Sequence, residues 1–270
     1  MIYSMIIEYG NFTHILTIAI TILLILFTYL ILRKAKKKTQ QIVVLVLMLL
    51  NVFQHFFKFI VWPHYYGRGF GIENTAYNMC ALLILLSPLT FVFKNESFKE
   101  YISLLGFISG SIAISVPYWF VNSRSSILTF EYLRFYFCHS VLAITSIVPL
   151  LLGLNEIKFK HFYKIGLFYF LSILIINTNN FVFHYIKYSF DLEKAINLMT
   201  SSNPVWSFRP PTEFPIFGKI MQLFSPKILM DIETNYYVPI LYYFIPMYSF
   251  ITISAFILSI FVDRKTFRKR

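Results

Sequence analysis

Cys80, His55, His139, His184 and Lys58 lie inside or at the mouths of stretches built mainly from Leu, Ile, Val and Phe. A titratable group in such surroundings is costly unless it is paired or used, so each is a candidate functional residue. A thiol becomes a nucleophile when a base takes its proton, and amides beside it can donate to a developing oxyanion. Cys80 and His139 offer the thiol and the base, and Asn78, Asn177 and Asn180 offer amides. The histidines could also hold a metal, but no carboxylate accompanies them at ligand spacing. The two cysteines form no Cys-x-x-Cys pair, so neither a metal, a cofactor nor a disulfide framework is expected.

Spacing sets depth. Asn51, His55 and Lys58 fall at i, i+4 and i+7 of one run, and Asn177, Asn180 and His184 at i, i+3 and i+7 of another, so each trio shares a helix face. At about 1.5 Å per residue, Cys80 sits roughly 6 Å and His139 roughly 14 Å below the outer ends of their helices. These positions predict one polar chamber open toward the outer leaflet, with His55, Lys58, Asn78, Asn177, Asn180 and His184 as substrate-binding candidates. Lys58 is expected to point into the bundle with the others; its closeness to Trp62 in sequence leaves the alternative that its ammonium reaches the headgroups. Cys138 is expected to face a different neighbour from His139, because successive helical side chains are about 100° apart.

The elements that must carry these groups are helices. Seven runs have the roughly 20 residues a spanning helix needs: His14–Arg33, Ile42–Trp62, Ala76–Phe93, Tyr101–Phe120, Phe130–Leu154, Phe162–Tyr185 and Val238–Val262. With 57% hydrophobic and 13% charged residues, the solvent of this chain is largely lipid. The expected fold is all-α, a single polytopic bundle over residues 1–270 in the cell membrane. Segments 33–38, 94–99, 158–164 and 264–270 hold fifteen Lys and Arg, against seven on the other side, which places the N-terminus outside and the C-terminus in the cytoplasm. The net charge of +12 is explained by these anchors, so no nucleic-acid partner is expected. The first run carries Glu8 before it and its basic cluster after it, which is not the pattern of a cleavable signal. Gly106 and Gly110, with Ser103 and Ala113, form a small-residue stripe for close helix packing. Segment 186–237, rich in Pro and amphipathic near Phe217–Phe224, reads as a long extracytoplasmic loop lying on or dipping into the outer face.

Several of these residues also fall in a recognisable order. Asn78-x-Cys80 opens the third run, Phe135-Tyr136-Phe137-Cys138-His139 lies in the fifth, and Asn177 in the sixth. Asn203-Pro204-Val205-Trp206-Ser207-Phe208-Arg209-Pro210 follows. This pattern resembles the YwaF-type integral membrane proteins of bacteria, whose animal relative, transmembrane protein 164, is described as a phospholipid acyltransferase. The resemblance implies Cys80 as the acyl-accepting nucleophile, His139 as its base, and membrane lipids as partners. It adds Asn203 and Arg209 to the substrate-binding candidates; the family more often has an aromatic where this chain has Pro204. The alternative is a transporter or receptor-like protein that binds a small polar or lipid ligand in the same chamber. Seven runs without an internal repeat point away from an inverted-repeat transporter. Nothing in the sequence sets an oligomeric state.

Overall fold

The computed structural model of the chain describes residues 7–66, 70–118, 121 and 129–262. Nine α-helices occur among them: α1 Phe12–Leu32, α2 Lys37–Tyr66, α3 Met79–Leu86, α4 Glu96–Ser115, α5 Phe130–Leu151, α6 Phe162–Lys187, α7 Leu192–Ser202, α8 Pro215–Phe224 and α9 Leu241–Val262. Among the described residues the strands are confined to a short hairpin, β1 Met230–Asp231 with β2 Tyr236–Tyr237. Six stretches are long and apolar enough to cross a membrane: Phe12–Leu32, Lys37–Val61, Ile72–Phe91, Phe130–Leu151, Phe162–Lys187 and Leu241–Ile260. The chain is an all-α, multi-pass membrane protein.

The remaining long helix, α4, is set apart by burial. It carries Glu96, Lys99 and Glu100, and Tyr101, Ile102, Leu104 and Leu105 are all buried. A helix sheathed by other helices needs no continuous lipid-facing apolar surface. It begins five residues before the expected Tyr101 because Asn95 caps it, its side-chain oxygen accepting from the Phe98 N–H at 3.1 Å. The far end of the predicted run, Phe120, lies outside the described residues.

The predicted third run is also not one continuous helix. A 3-10 turn at Ile72–Asn74 precedes α3, and a second turn, Ser87–Phe91, follows it. The change of pitch coincides with Pro88, which lacks an N–H to donate. The Ser87 hydroxyl donates to the Ile84 carbonyl at 3.0 Å and the Thr90 hydroxyl to the Ser87 carbonyl at 2.7 Å.

The chain divides into two compact units, residues 1–65 with 83–156 and residues 66–82 with 157–270. In the first, α4 packs along α5, and α1 on α5. Lipid is as apolar as leucine, so helix pairing here depends on close approach and polar contacts rather than on the hydrophobic effect. Gly106 faces Ser146, and Gly110 faces the His139 carbonyl and Ala143, the small-residue stripe placed against α5. Thr21 and Ser140 share a 2.8 Å hydrogen bond, and His14 donates to the Ser115 carbonyl at 3.0 Å. In the second unit α6 packs on α9, where Gly166 admits the Tyr248 ring and Phe170 meets Phe244 at 4.8 Å. Segment 188–240 is folded: it contains α7, α8 and the hairpin, and Tyr242 donates to the Trp206 carbonyl at 2.6 Å to tie the loop to α9.

Candidate active site

Cys80 is the second residue of α3 and is half-buried. Its position is set by three amides. The Asn78 side chain caps α3 by accepting from the Ala81 N–H at 2.8 Å, which is the work the sequence Asn-x-Cys performs locally. From α6, Asn180 donates to the Tyr77 carbonyl at 3.1 Å, and Asn179 donates to the Thr75 hydroxyl at 2.8 Å. The run into Cys80 is therefore clamped to α6 at residues 75 and 77. Asn177, also on α6, reaches elsewhere: it donates to the Ser207 hydroxyl at 2.7 Å. Ser207 is fully buried, and its carbonyl accepts from the Ile240 N–H at 2.6 Å.

Asn203 organises the loop that contains Ser207. It adopts the left-handed conformation, φ 46° and ψ 53°, which Asn tolerates better than most residues. Its side-chain oxygen accepts from the N–H groups of Phe208 and Arg209, and its amide donates to the Arg209 carbonyl at 2.9 Å. The Arg209 guanidinium donates to the Ser201 carbonyl at 3.3 Å. Val205 and Trp206 also have positive φ, 47° and 59°. For a β-branched residue that is a strained backbone, of a kind that gathers at functional sites. His184, one helical turn beyond Asn180, stacks on Tyr188 with ring centroids 6.3 Å apart. Its Nδ1 is buried and, among the described residues, has no hydrogen-bond partner.

In the first unit the polar face of α2 is buried from Asn51 to Lys58. Asn51 and His55 are 1% and 3% exposed, and Lys58 is 1% exposed. The alternative in which Lys58 extends to the headgroups is not what the structure shows, because its side chain is enclosed. The face turns toward α5, where the Asn51 amide donates to the Cys138 carbonyl at 3.0 Å. The cations of Lys58 and Arg134 both lie within electrostatic reach of the Cys138 thiol.

His139 itself is oriented by its own helix. Its Nδ1 donates to the Phe135 carbonyl at 2.7 Å, and its ring packs on Phe135 at 4.2 Å between centroids. A carbonyl can only accept, so Nδ1 carries the proton, and the lone pair of the neutral ring is on Nε2. The Cys138 sulfur lies 4.0 Å from His139 Nδ1 and 3.7 Å from the Phe135 carbonyl. This differs from the expected divergence of the two side chains. Both lean back along the helix toward the same preceding carbonyl, which closes the 100° between their Cα–Cβ bonds.

Within the first unit the structure buries His55 and Lys58 on one face of α2 and brings Lys58 and Arg134 within reach of Cys138, beside His139; sequence reasoning left Arg134 and Cys138 aside. The i, i+4 spacing of Arg134 and Cys138 was the available signal. Within the second it gathers Cys80, Asn78 and Asn180 around the start of α3, and Asn177 and Asn203 around Ser207. Thr75 and Ser207 were not anticipated, since a single hydroxyl in a loop has no periodicity to mark it.

With this geometry in place, comparison with known proteins gives one finding: the model of the TMEM164 family matches residues 9–208. No curated protein and no solved structure matches the chain.

Proposed function

Because the chain belongs to the TMEM164 family, we propose that it is an acyltransferase of the cell membrane that carries a fatty acyl chain from one lipid to another on Cys80. The observation that carries the reading is the orientation of His139, whose Nδ1 is committed to the Phe135 carbonyl so that Nε2 is the basic nitrogen. The Cys80 thiol must lose its proton to become a nucleophile, and the base for that step is the role the family resemblance gives to His139. The thiolate attacks the ester carbonyl of the donor lipid; a carbon–sulfur bond forms, the ester carbon–oxygen bond breaks, and the leaving alkoxide takes the proton. A hydroxyl of the acceptor lipid then attacks the thioester, losing its proton to the same imidazole, and the returning sulfur regains it.

A groove of about 540 Å³ in the second unit supports an apolar substrate. It is lined mainly by Leu174, Ile175, Val182 and Ile186, with Thr75 and Asn179 also in its wall. That volume is in the range of small-molecule sites, and its wall includes the hydroxyl that anchors the run into Cys80. The same reading takes α4 as a seventh pass, with the N-terminus outside.

Mass analysis of protein purified from lipid tests the mechanism. A hydroxylamine-labile acyl adduct is expected on the Cys80 peptide. Lipid exchange that persists in Cys80→Ser, or an adduct confined to Cys138, would overturn the thioester on Cys80.

A further inference from the structure

The connection 188–240 leaves the end of α6 and returns at the start of α9, so both its ends are held at one face of the membrane. Within it α8 has three distinct sides. Ile216, Ile220, Leu223 and Phe224 share one, at 100° per residue, and are 78%, 48%, 77% and 62% exposed. Gly218 and Met221 are buried on the second, Gly218 so close beneath the Pro211 carbonyl that a Cβ would meet it at 3.0 Å. Lys219 and Gln222 form the third, and with Arg209 they line a small cavity of about 240 Å³. Gln222 donates to the Tyr237 hydroxyl at 2.9 Å, which joins α8 to the hairpin. Past the helix, Ile228 and Ile232 are also exposed, 91% and 60%.

We propose that α8 and the hairpin form an interfacial anchor that lies in the leaflet reached by the ends of α6 and α9. Ile216, Leu223, Phe224 and Ile228 enter the acyl region while Lys219 and Arg209 sit level with the lipid phosphates. The occupant is argued from continuity and from charge. This many exposed large apolar side chains are unfavourable in water, and here they lie in a segment that connects two membrane-spanning helices. The basic flank lies at the edge of that surface, as it does in helices that rest at the boundary between headgroups and acyl chains. A second copy of the chain on the same face would have to take Lys219 out of water beside its apolar neighbours.

The test reads depth and needs no turnover, so it stands or falls independently of the acyltransferase reading. A nitroxide is placed at Leu223→Cys, Ile228→Cys or Glu213→Cys in the full chain carrying Cys80→Ser and Cys138→Ser, reconstituted in phospholipid vesicles. Labels at 223 and 228 are expected to collide with dissolved oxygen at least several-fold more than with a water-soluble nickel chelate, and the label at 213 the reverse. In the otherwise native chain, Leu223→Trp should be quenched by bromine-labelled acyl chains and Glu213→Trp should not. A label at 223 that behaves like the one at 213 would place α8 in water. Protection of 223 from both reagents, with dipolar broadening between labels, would place it against a protein. Either result overturns the proposal.

Discussion

A single methyl group at Gly110 tests how α4 positions the candidate base. A Cβ there would lie 2.7 Å from the His139 carbonyl oxygen, 3.0 Å from the Ala143 nitrogen and 3.2 Å from the Ala143 Cβ. Ordinary contact begins at 3.4 Å, against 2.7 Å here, so the helices must part by about 0.7 Å at the residue that holds the imidazole. Two of the three obstacles are backbone atoms, which cannot rotate away. Overpacking of this sort costs about 1–3 kcal/mol, and the better helix propensity of Ala returns at most about 1 kcal/mol. The net for Gly110→Ala is a loss of about 1 kcal/mol, roughly a fivefold fall in the folded-to-unfolded ratio. At Gly106 the obstacle is the Ser146 hydroxyl, a side chain that can turn aside, so Gly106→Ala should be near neutral. Reversible unfolding of the full chain in mixed detergent micelles measures both. If Gly106→Ala proves the more damaging, or Gly110→Ala stabilises, the close approach of α4 to α5 at His139 is wrong.

Cys80→Ser and His139→Gln are each expected to lower lipid acyl exchange in reconstituted membranes by about 10²-fold or more, while Cys138→Ser stays within about tenfold because serine can still bond the Phe135 carbonyl. Equal loss in all three would move the chemistry to the Arg134, Cys138 and Lys58 cluster. Asn180→Leu leaves the Tyr77 carbonyl without its donor, at a cost of about 1–3 kcal/mol, and should speed alkylation of Cys80 by a maleimide, whereas Asn177→Leu should not. Val205→Gly relieves a left-handed β-branched residue and should raise thermal stability by about 1 kcal/mol; a lower melting temperature would show that the strain reading is mistaken. A reporter active only in the cytoplasm should work when fused after Lys37 or Arg270 and fail within 201–207; activity in that loop would refute the seven-pass topology.

The helices were legible because lipid imposes a length and a composition that a sequence cannot disguise. Five of the seven predicted runs, those other than the third and fourth, appear as single helices with modest shifts at their ends. The break at Pro88 was visible as a proline but not as a change of pitch. α4 was displaced because its start is set by the Asn95 cap rather than by its apolar content. At the candidate site, the trio Asn51, His55 and Lys58 was readable from helical spacing, and burial of all three follows it. What spacing cannot give is the partner. Nothing about Asn180 distinguishes an amide that holds the Tyr77 carbonyl from one that awaits a substrate, and nothing about Lys58 distinguishes an enclosed side chain from one that reaches the headgroups.

The partners change how the sequence pattern is understood. Asn78-x-Cys80, Asn177 and the segment Asn203–Pro210 are widely separated along the chain, yet in the second unit α6 holds them together. Asn179 and Asn180 grip residues 75 and 77, just ahead of Cys80, and Asn177 grips Ser207 within the loop that Asn203 folds. Successive positions on a helix differ by about 100°, so one short asparagine-rich stretch can reach two neighbours on different sides. The Cys80 approach and the strained 203–209 loop are thereby referred to the same few residues of one helix. A displacement of α6 near Asn177 would move both at once, which couples the Cys80 approach to the 203–209 loop through one helix.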